Sequence, residues 1–169
     1  MSESLARAAT LDSALCWRPM RDADLATVAA IEAEAHIAPW TEGNFRDALC
    51  AGYASIVAEE DDAIVAYGVM MLAPGEAQLL NLTVVPRSRR RGIGRLLLRR
   101  FVDDALDRGA DQCFLEVRVS NIAATSLYAR EGFVPVARRA SYYPPAHPGA
   151  EREDALVLRL ALRELAGER

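Results

Sequence analysis

The sequence predicts one mixed α/β domain in which antiparallel hairpins flank a central β-α-β unit. Three patterns carry that expectation. Two strand-like apolar runs, Ala54–Ala58 and Ala63–Leu72, are joined by the acidic turn Glu60-Asp61-Asp62, as in an antiparallel hairpin. Ile93, Leu97, Phe101 and Ala105 recur every fourth residue between two further strand-like runs, Ala77–Val85 and Cys113–Val117. A chain of 169 residues, 51% hydrophobic and 26% charged, has the length and composition of one ordinary globular domain with a real core.

Taken in order, residues 1–15 are small and polar with little periodicity and read as a loose tail. A short strand near Cys16-Trp17-Arg18 precedes a helix over about Asp22–Ala35, whose apolar face is Leu25, Val28, Ala29 and Ile31. Thr41 is placed to N-cap a second helix reaching about Leu49. The hairpin follows, then the turn Pro74-Gly75, the strand Ala77–Val85, and the amphipathic helix ending at Gly109, a residue suited to a left-handed cap. Asn121 or Ser120 caps a helix over about Ala123–Arg130, closed by Gly132. Strands near Phe133–Arg138 and Ala155–Leu160 flank a Pro-rich loop with Tyr142-Tyr143-Pro144-Pro145. The domain therefore spans 16–160, with a C-terminal tail at 161–169.

All 20 basic residues are Arg, and the chain has no Lys. Seven of them stand between Arg87 and Arg100, a window without Asp or Glu, although the net charge is -4. A general nucleic-acid-coating role is disfavoured, because its field would be basic over a whole face. A local site for a small anion fits better. Arg89-Arg90-Arg91-Gly92-Ile93-Gly94-Arg95 lies between a strand and a helix. Cations at a helix N-terminus oppose the macrodipole, and glycines there expose backbone N–H groups, which together suit a phosphate or pyrophosphate. The competing reading is a solvated Arg run with glycines in a tight turn. A Walker loop needs Lys, and a Rossmann fingerprint wants a small residue where Leu97 stands, so both fit poorly.

Cys16, Cys50 and Cys113 are too widely spaced for a disulfide framework or a CxxC metal site. His36 and His147 lack ligand-spaced neighbours and read as structural or solvated, so no metal is expected. The longest apolar run, Ala63–Ala73, is too short to span a bilayer, and the first residues lack a signal-peptide pattern. No membrane association is expected, and the cytoplasm follows by default.

Arg89-x-x-Gly92-x-Gly94 after Leu79-Leu80-Asn81-Leu82-Thr83-Val84 resembles the acetyl-coenzyme A signature of the GNAT acyltransferases. The similarity continues through Leu115-Glu116-Val117-Arg118-Val119-Ser120-Asn121, Leu127-Tyr128 and Glu131-Gly132-Phe133. With Pro39-Trp40-Thr41, Arg138-Arg139 and Tyr142-Tyr143-Pro144, it is similar to the RimI-like ribosomal-protein alanine N-acetyltransferases. The resemblance implies a GNAT fold: a mostly antiparallel twisted sheet, a parallel β-α-β cofactor unit and flanking helices. It implies acetyl transfer from acetyl-CoA, as cosubstrate, to the N-terminal alanine of small ribosomal subunit protein eighteen. A monomer or weak dimer without direct nucleic-acid contact is expected. Transfer is expected to be direct, since no Cys occupies a matched catalytic position.

The same resemblance assigns roles. Leu82, Thr83 and Val84 offer backbone groups to the pantetheine arm and thioester. Arg90, Arg91, Gly92, Ile93, Gly94 and Arg95 bind the pyrophosphate, and Asn121 hydrogen-bonds the cofactor, although helix capping alone explains Asn121. Glu116 is the general base; Phe114 shares its side of the strand and is expected to desolvate it, raising its pKa. A solvated strand-end carboxylate is the bland reading. Tyr128 is the general acid, against a core aromatic. Tyr142 and Tyr143 form a gate over the incoming peptide, against a stiffened surface loop. Lys side chains or small amines as acceptors, and coenzyme A binding without turnover, stay open.

Overall fold

In the computed structural model, which describes residues 9–145, 147 and 149–163, the apolar runs become seven strands. These are β1 (Cys16–Pro19), β2 (Ala54–Glu60), β3 (Ala63–Ala73), β4 (Glu76–Val84), β5 (Gln112–Arg118), β6 (Val134–Tyr143) and β7 (Glu153–Ala161). The helices are α1 (Leu25–Ala35), α2 (Glu42–Cys50), α3 (Ile93–Asp107) and α4 (Ile122–Arg130). One sheet forms, with strand order β1-β2-β3-β4-β5-β7-β6. Strands β4 and β5, joined through α3, pair in parallel from Glu76↔Gln112 to Leu79↔Leu115. The β1–β2, β2–β3, β5–β7 and β6–β7 pairings are antiparallel. The expected mixed fold with one parallel unit is what forms.

The chain divides into two compact units, residues 1–70 with 81–101, and residues 71–80 with 102–169. In the first, Asp61 and Asp62 both take positive φ, +50° and +61°, and close the β2–β3 hairpin with the twist that two-residue loops favour. Thr41 caps α2 as its spacing predicts, its Oγ1 accepting from Asn44 N at 3.3 Å. Phe45 and Tyr67 are fully buried and meet edge to face at 5.7 Å. Gly68 is the closest approach in this core: a Cβ there would stand 2.6 Å from Phe101 Cε2 and 2.8 Å from the Asn81 carbonyl oxygen.

In the second unit Cys113, Leu115 and Val117, one face of β5, are buried, as are Tyr128, Phe133, Leu158 and Leu160. The alternation that sequence periodicity assigns to this strand holds along its whole length. Leu162 is also fully buried, and its N–H bonds Asp111 O at 2.9 Å, so order continues past residue 160.

Three local expectations change. Residues 9–14 are helical and Leu15 is only 6% exposed, so the described part of the stretch read as a loose tail is structured. The first helix begins at Leu25, behind a 3-10 turn at Asp22–Asp24. Strand β6 runs on to Tyr143, so the tyrosine pair sits at a strand end rather than in the Pro-rich loop. Residues 1–8 and 164–169 lie outside the described part.

Candidate active site

In the first unit, β4 leads through a 3-10 turn, Pro86–Ser88, to the Arg-Gly segment and α3. Arg90 and Gly92 take positive φ, +64° and +100°, and the Gly92 carbonyl accepts from the N–H groups of Arg95 and Leu96, both at 3.1 Å. Helix geometry leaves the N–H groups of the first turn without intrahelical acceptors, the arrangement from which anion sites are built. A Cβ added at Gly92 would meet nothing nearer than Leu11 Cδ2 at 3.8 Å, so backbone conformation rather than space demands the glycine.

The Arg residues are not equivalent. Arg91 makes a bidentate pair with Glu60, at 2.7 and 2.6 Å. Arg89 donates from Nε to the Val84 carbonyl at 3.1 Å, tying the loop to the strand end. Leu82 and Val84 are half-buried and alternate with Thr83, which is 3% exposed.

In the second unit, Glu116 lies on the half-buried face of β5 with Phe114 and Arg118. Its polar partners are ones that the sequence pattern does not name. Its Oε1 receives the Arg139 guanidinium, and the Tyr142 hydroxyl also hydrogen-bonds to it. An ion pair with Arg139 thus stands beside Phe114 in its surroundings. Strand order explains this contact: β7 separates β5 from β6, with Glu116 opposite Val157 and Val157 opposite Ala137. Arg139, two residues beyond Ala137, reaches across that intervening strand. Its spacing from Glu116 in sequence carries no helical or hairpin signal, so the pattern of residues alone missed it.

Arg139 also stacks over the Tyr142 ring at 4.3 Å, and Arg118 over the Tyr143 ring at 4.3 Å. Arg118 pairs with Glu153 at 3.0 Å, and Arg152 holds the carbonyls of Ser141 and Tyr142 at 2.7 and 2.6 Å. The tyrosine pair is thus anchored from both backbone and rings. The Glu116 carboxylate, then burial, raises the Tyr142 phenol above its ordinary range, and burial chiefly pushes Tyr143 up to about 12.

Tyr128 is 7% exposed and meets Phe133 at 5.7 Å. Burial holds its hydroxyl well above the ordinary tyrosine range, reinforced by Tyr143 and Cys113 nearby. Asn121 caps α4, its Oδ1 accepting from Ala124 N at 3.1 Å, which uses one end of the carboxamide and leaves its NH2 as a donor. Cys113 is buried and its thiol is pushed up to about 12 by desolvation.

The sequence pattern of the acetyltransferase (GNAT) family matches residues 25–133. A [ribosomal protein bS18]-alanine N-acetyltransferase of Salmonella typhimurium is 37% identical over 139 residues, covering 82% of this chain and 92% of the relative. The crystal structure of the ribosomal-protein-S18-alanine N-acetyltransferase from Escherichia coli aligns with a TM-score of 0.80 at 32% identity, over 88% of this chain and 94% of that one. Chaetomium thermophilum Naa20, solved in complex with a bisubstrate analogue, aligns with a TM-score of 0.79 at 24% identity, over 91% and 90%, a likeness of fold.

Proposed function

The chain belongs to the acetyltransferase (GNAT) family, and from that membership we propose that it acetylates the N-terminal alanine of small ribosomal subunit protein eighteen. This assignment rests on one observation: the 37% identity with the enzyme named for that reaction extends over 92% of the relative. Acetyl-coenzyme A, the cosubstrate, supplies the acetyl group activated as a thioester. The residues present suit it, since positive φ at Arg90 and Gly92 and the start of α3 combine N–H groups with cationic side chains.

In this reading Arg90, Arg91, Gly92, Ile93, Gly94 and Arg95 bind the pyrophosphate, and the Leu82, Thr83 and Val84 backbone aligns the pantetheine arm. Asn121 offers its NH2 while its Oδ1 caps α4. A free α-amine, with a pKa of about 7.7–8.0, is mostly protonated near neutrality and attacks only after losing a proton. Glu116 acts as a general base toward that nitrogen, and Arg139 and Tyr142 keep its carboxylate oriented. Tyr128 keeps its proton because burial disfavours the phenolate, and so has one to give the departing sulfur.

Cys113 is a poor acyl carrier, because a buried thiol pushed up to about 12 is seldom ionised. That supports direct transfer. Tyr142 and Tyr143 line the path of the acceptor as a fixed wall instead of a swinging gate, given their anchoring. Acidic residues outside the Arg window attract a basic acceptor such as a ribosomal protein. Among the described residues no helix is long and apolar enough to cross a membrane, and we assign the reaction to the cytoplasm.

A peptide series tests the assignment: one sequence beginning with Ala, the same with other first residues, and an Nα-blocked version containing Lys. Acetylation confined to the Ala α-amine is expected. Preferential modification of the blocked Lys peptide would replace the acceptor assigned here, and coenzyme A binding without any transfer would replace the enzymatic reading.

A further inference from the structure

Glu32 has no part in the roles above, yet it is buried in the first unit on the same stripe of α1 as Leu25 and Val28, at 2% exposure. Its Oε1 accepts from Asn81 Nδ2 at 3.0 Å and from Trp40 N at 3.2 Å, and its Oε2 from the Tyr67 hydroxyl at 2.5 Å. Burial, together with Glu32, holds the Tyr67 hydroxyl above its ordinary range, so it stays a donor. The Thr83 hydroxyl also lies 3.5 Å from Oε2; these partners are all neutral, and a carboxylate this deep calls for a cation as well. His36, just past the end of α1, faces it: Nε2 is 3.5 Å from Glu32 Oε2 and 2.7 Å from Thr83 Oγ1, on a side chain 37% exposed.

Hydrogen-bond directions propagate outward from the buried end. A carboxylate only accepts, so Asn81 turns its NH2 to Glu32 and its Oδ1 toward Thr83. That Oδ1 and the carboxylate only accept, so the Thr83 hydroxyl donates inward, to Asn81 Oδ1 at 3.0 Å with Glu32 Oε2 farther away at 3.5 Å. With its single proton committed, Thr83 must accept from His36, and the imidazole proton sits on Nε2. In the neutral ring the lone pair then lies on Nδ1, on a residue open to solvent. A buried chain thus fixes one tautomer, and a buried carboxylate stands ready to balance an imidazolium. Thr83, which orients the ring, belongs to the Leu82–Val84 strand end assigned above to the thioester.

We propose that His36 is a catalytic base of the transfer, its Nδ1 taking the first proton lost by the acceptor's α-ammonium while Glu32 balances the charge. This rests on the acetyl-transfer reading. The nitrogen, now neutral, forms its bond to the carbonyl carbon as the carbon–sulfur bond breaks. Its second proton is matched by the one that the departing sulfur takes up. The net proton leaves from His36 to water.

His36→Gln separates this role from a structural one, because its amide can still donate to Thr83 but offers no base. The expected result is a fall in kcat of about 100-fold, with the KM for acetyl-CoA and the calorimetric affinity for coenzyme A changed less than about twofold. In His36→Ala, added imidazole is expected to restore part of the turnover. Independently of turnover, long-range proton–nitrogen NMR correlations should show the neutral His36 ring protonated at Nε2. Full kcat in His36→Gln, or a neutral ring protonated at Nδ1, overturns the proposal and leaves the acetyl-transfer reading intact. A native protein that acetylates no amine overturns both.

Discussion

At Tyr128, packing and the proposed chemistry draw on the same property. The ring is core, as an aromatic beside Leu127 ordinarily is, and that burial keeps its hydroxyl protonated through neutral pH. Tyr128→Phe should preserve the Phe133 contact and coenzyme A affinity while lowering kcat by about 100-fold, the usual scale of a general acid; stopped-time acetylation assays with parallel calorimetry measure both. Glu116→Gln should lower turnover on a similar scale. Unchanged kcat in both variants would remove the catalytic assignment. Gly92 makes a different kind of demand, since φ +100° is a conformation that β-branched residues scarcely enter. Gly92→Val should cost about 1–3 kcal/mol of local strain and weaken coenzyme A binding by about tenfold or more. Normal affinity by calorimetry would count against the anion site. Glu32 was legible only in part: its i, i+7 spacing from Leu25 puts it on the apolar stripe of α1, but nothing local names Tyr67, Asn81 or Thr83 as its partners.

Strand β6 illustrates how an element acquires its purpose from its neighbours. All its residues from Val134 to Tyr142 are exposed, as expected of an edge strand, and register shifts interrupt its ladder with β7. Periodicity over Phe133–Arg138 marked a strand but not its true end, because Ser141 N and Arg138 both bond Asp154 on β7, holding the chain in place beyond the expected stop. Arg139 consequently faces Glu116. Because this ion pair is largely exposed on the Arg side, Arg139→Gln should leave Tm almost unchanged yet reduce kcat, by releasing the Glu116 carboxylate from its orientation. A large loss of Tm with normal specific activity would instead make the pair structural. Strand β3 offers the opposite case, where packing governs. Gly68→Ala would drive a methyl group against Phe101 and the Asn81 carbonyl, an overpacking cost of about 1–3 kcal/mol and a fall of several degrees in Tm by thermal unfolding.

For the molecule as a whole, charge distribution is the property with measurable consequences. Seven Arg within 14 residues in an acidic chain concentrate cationic character on one segment. Exposed charges are screened by salt, so coenzyme A affinity should decline as ionic strength rises, and a salt-independent Kd would argue against an electrostatic pyrophosphate site. The absence of Lys adds a separate expectation. After incubation with acetyl-CoA, mass spectrometry should find N-acetylation of the enzyme only at its terminal α-amine.

Local chemistry in the sequence determined the mixed α/β class, the β2–β3 hairpin, the capped helices and the Arg-Gly loop, because each depends on contacts within a few residues. It also marked Glu116, Tyr128 and Asn121 for the roles that the family resemblance implies. What only the tertiary structure decided were the partners: Arg139 on Glu116 across β7, the anchoring of Tyr142 and Tyr143, and the chain from Glu32 through Asn81 and Thr83 to His36. Those contacts join residues brought together by strand order and burial. Side-chain protonation and tautomer follow from such neighbours, and no periodicity along the chain encodes them.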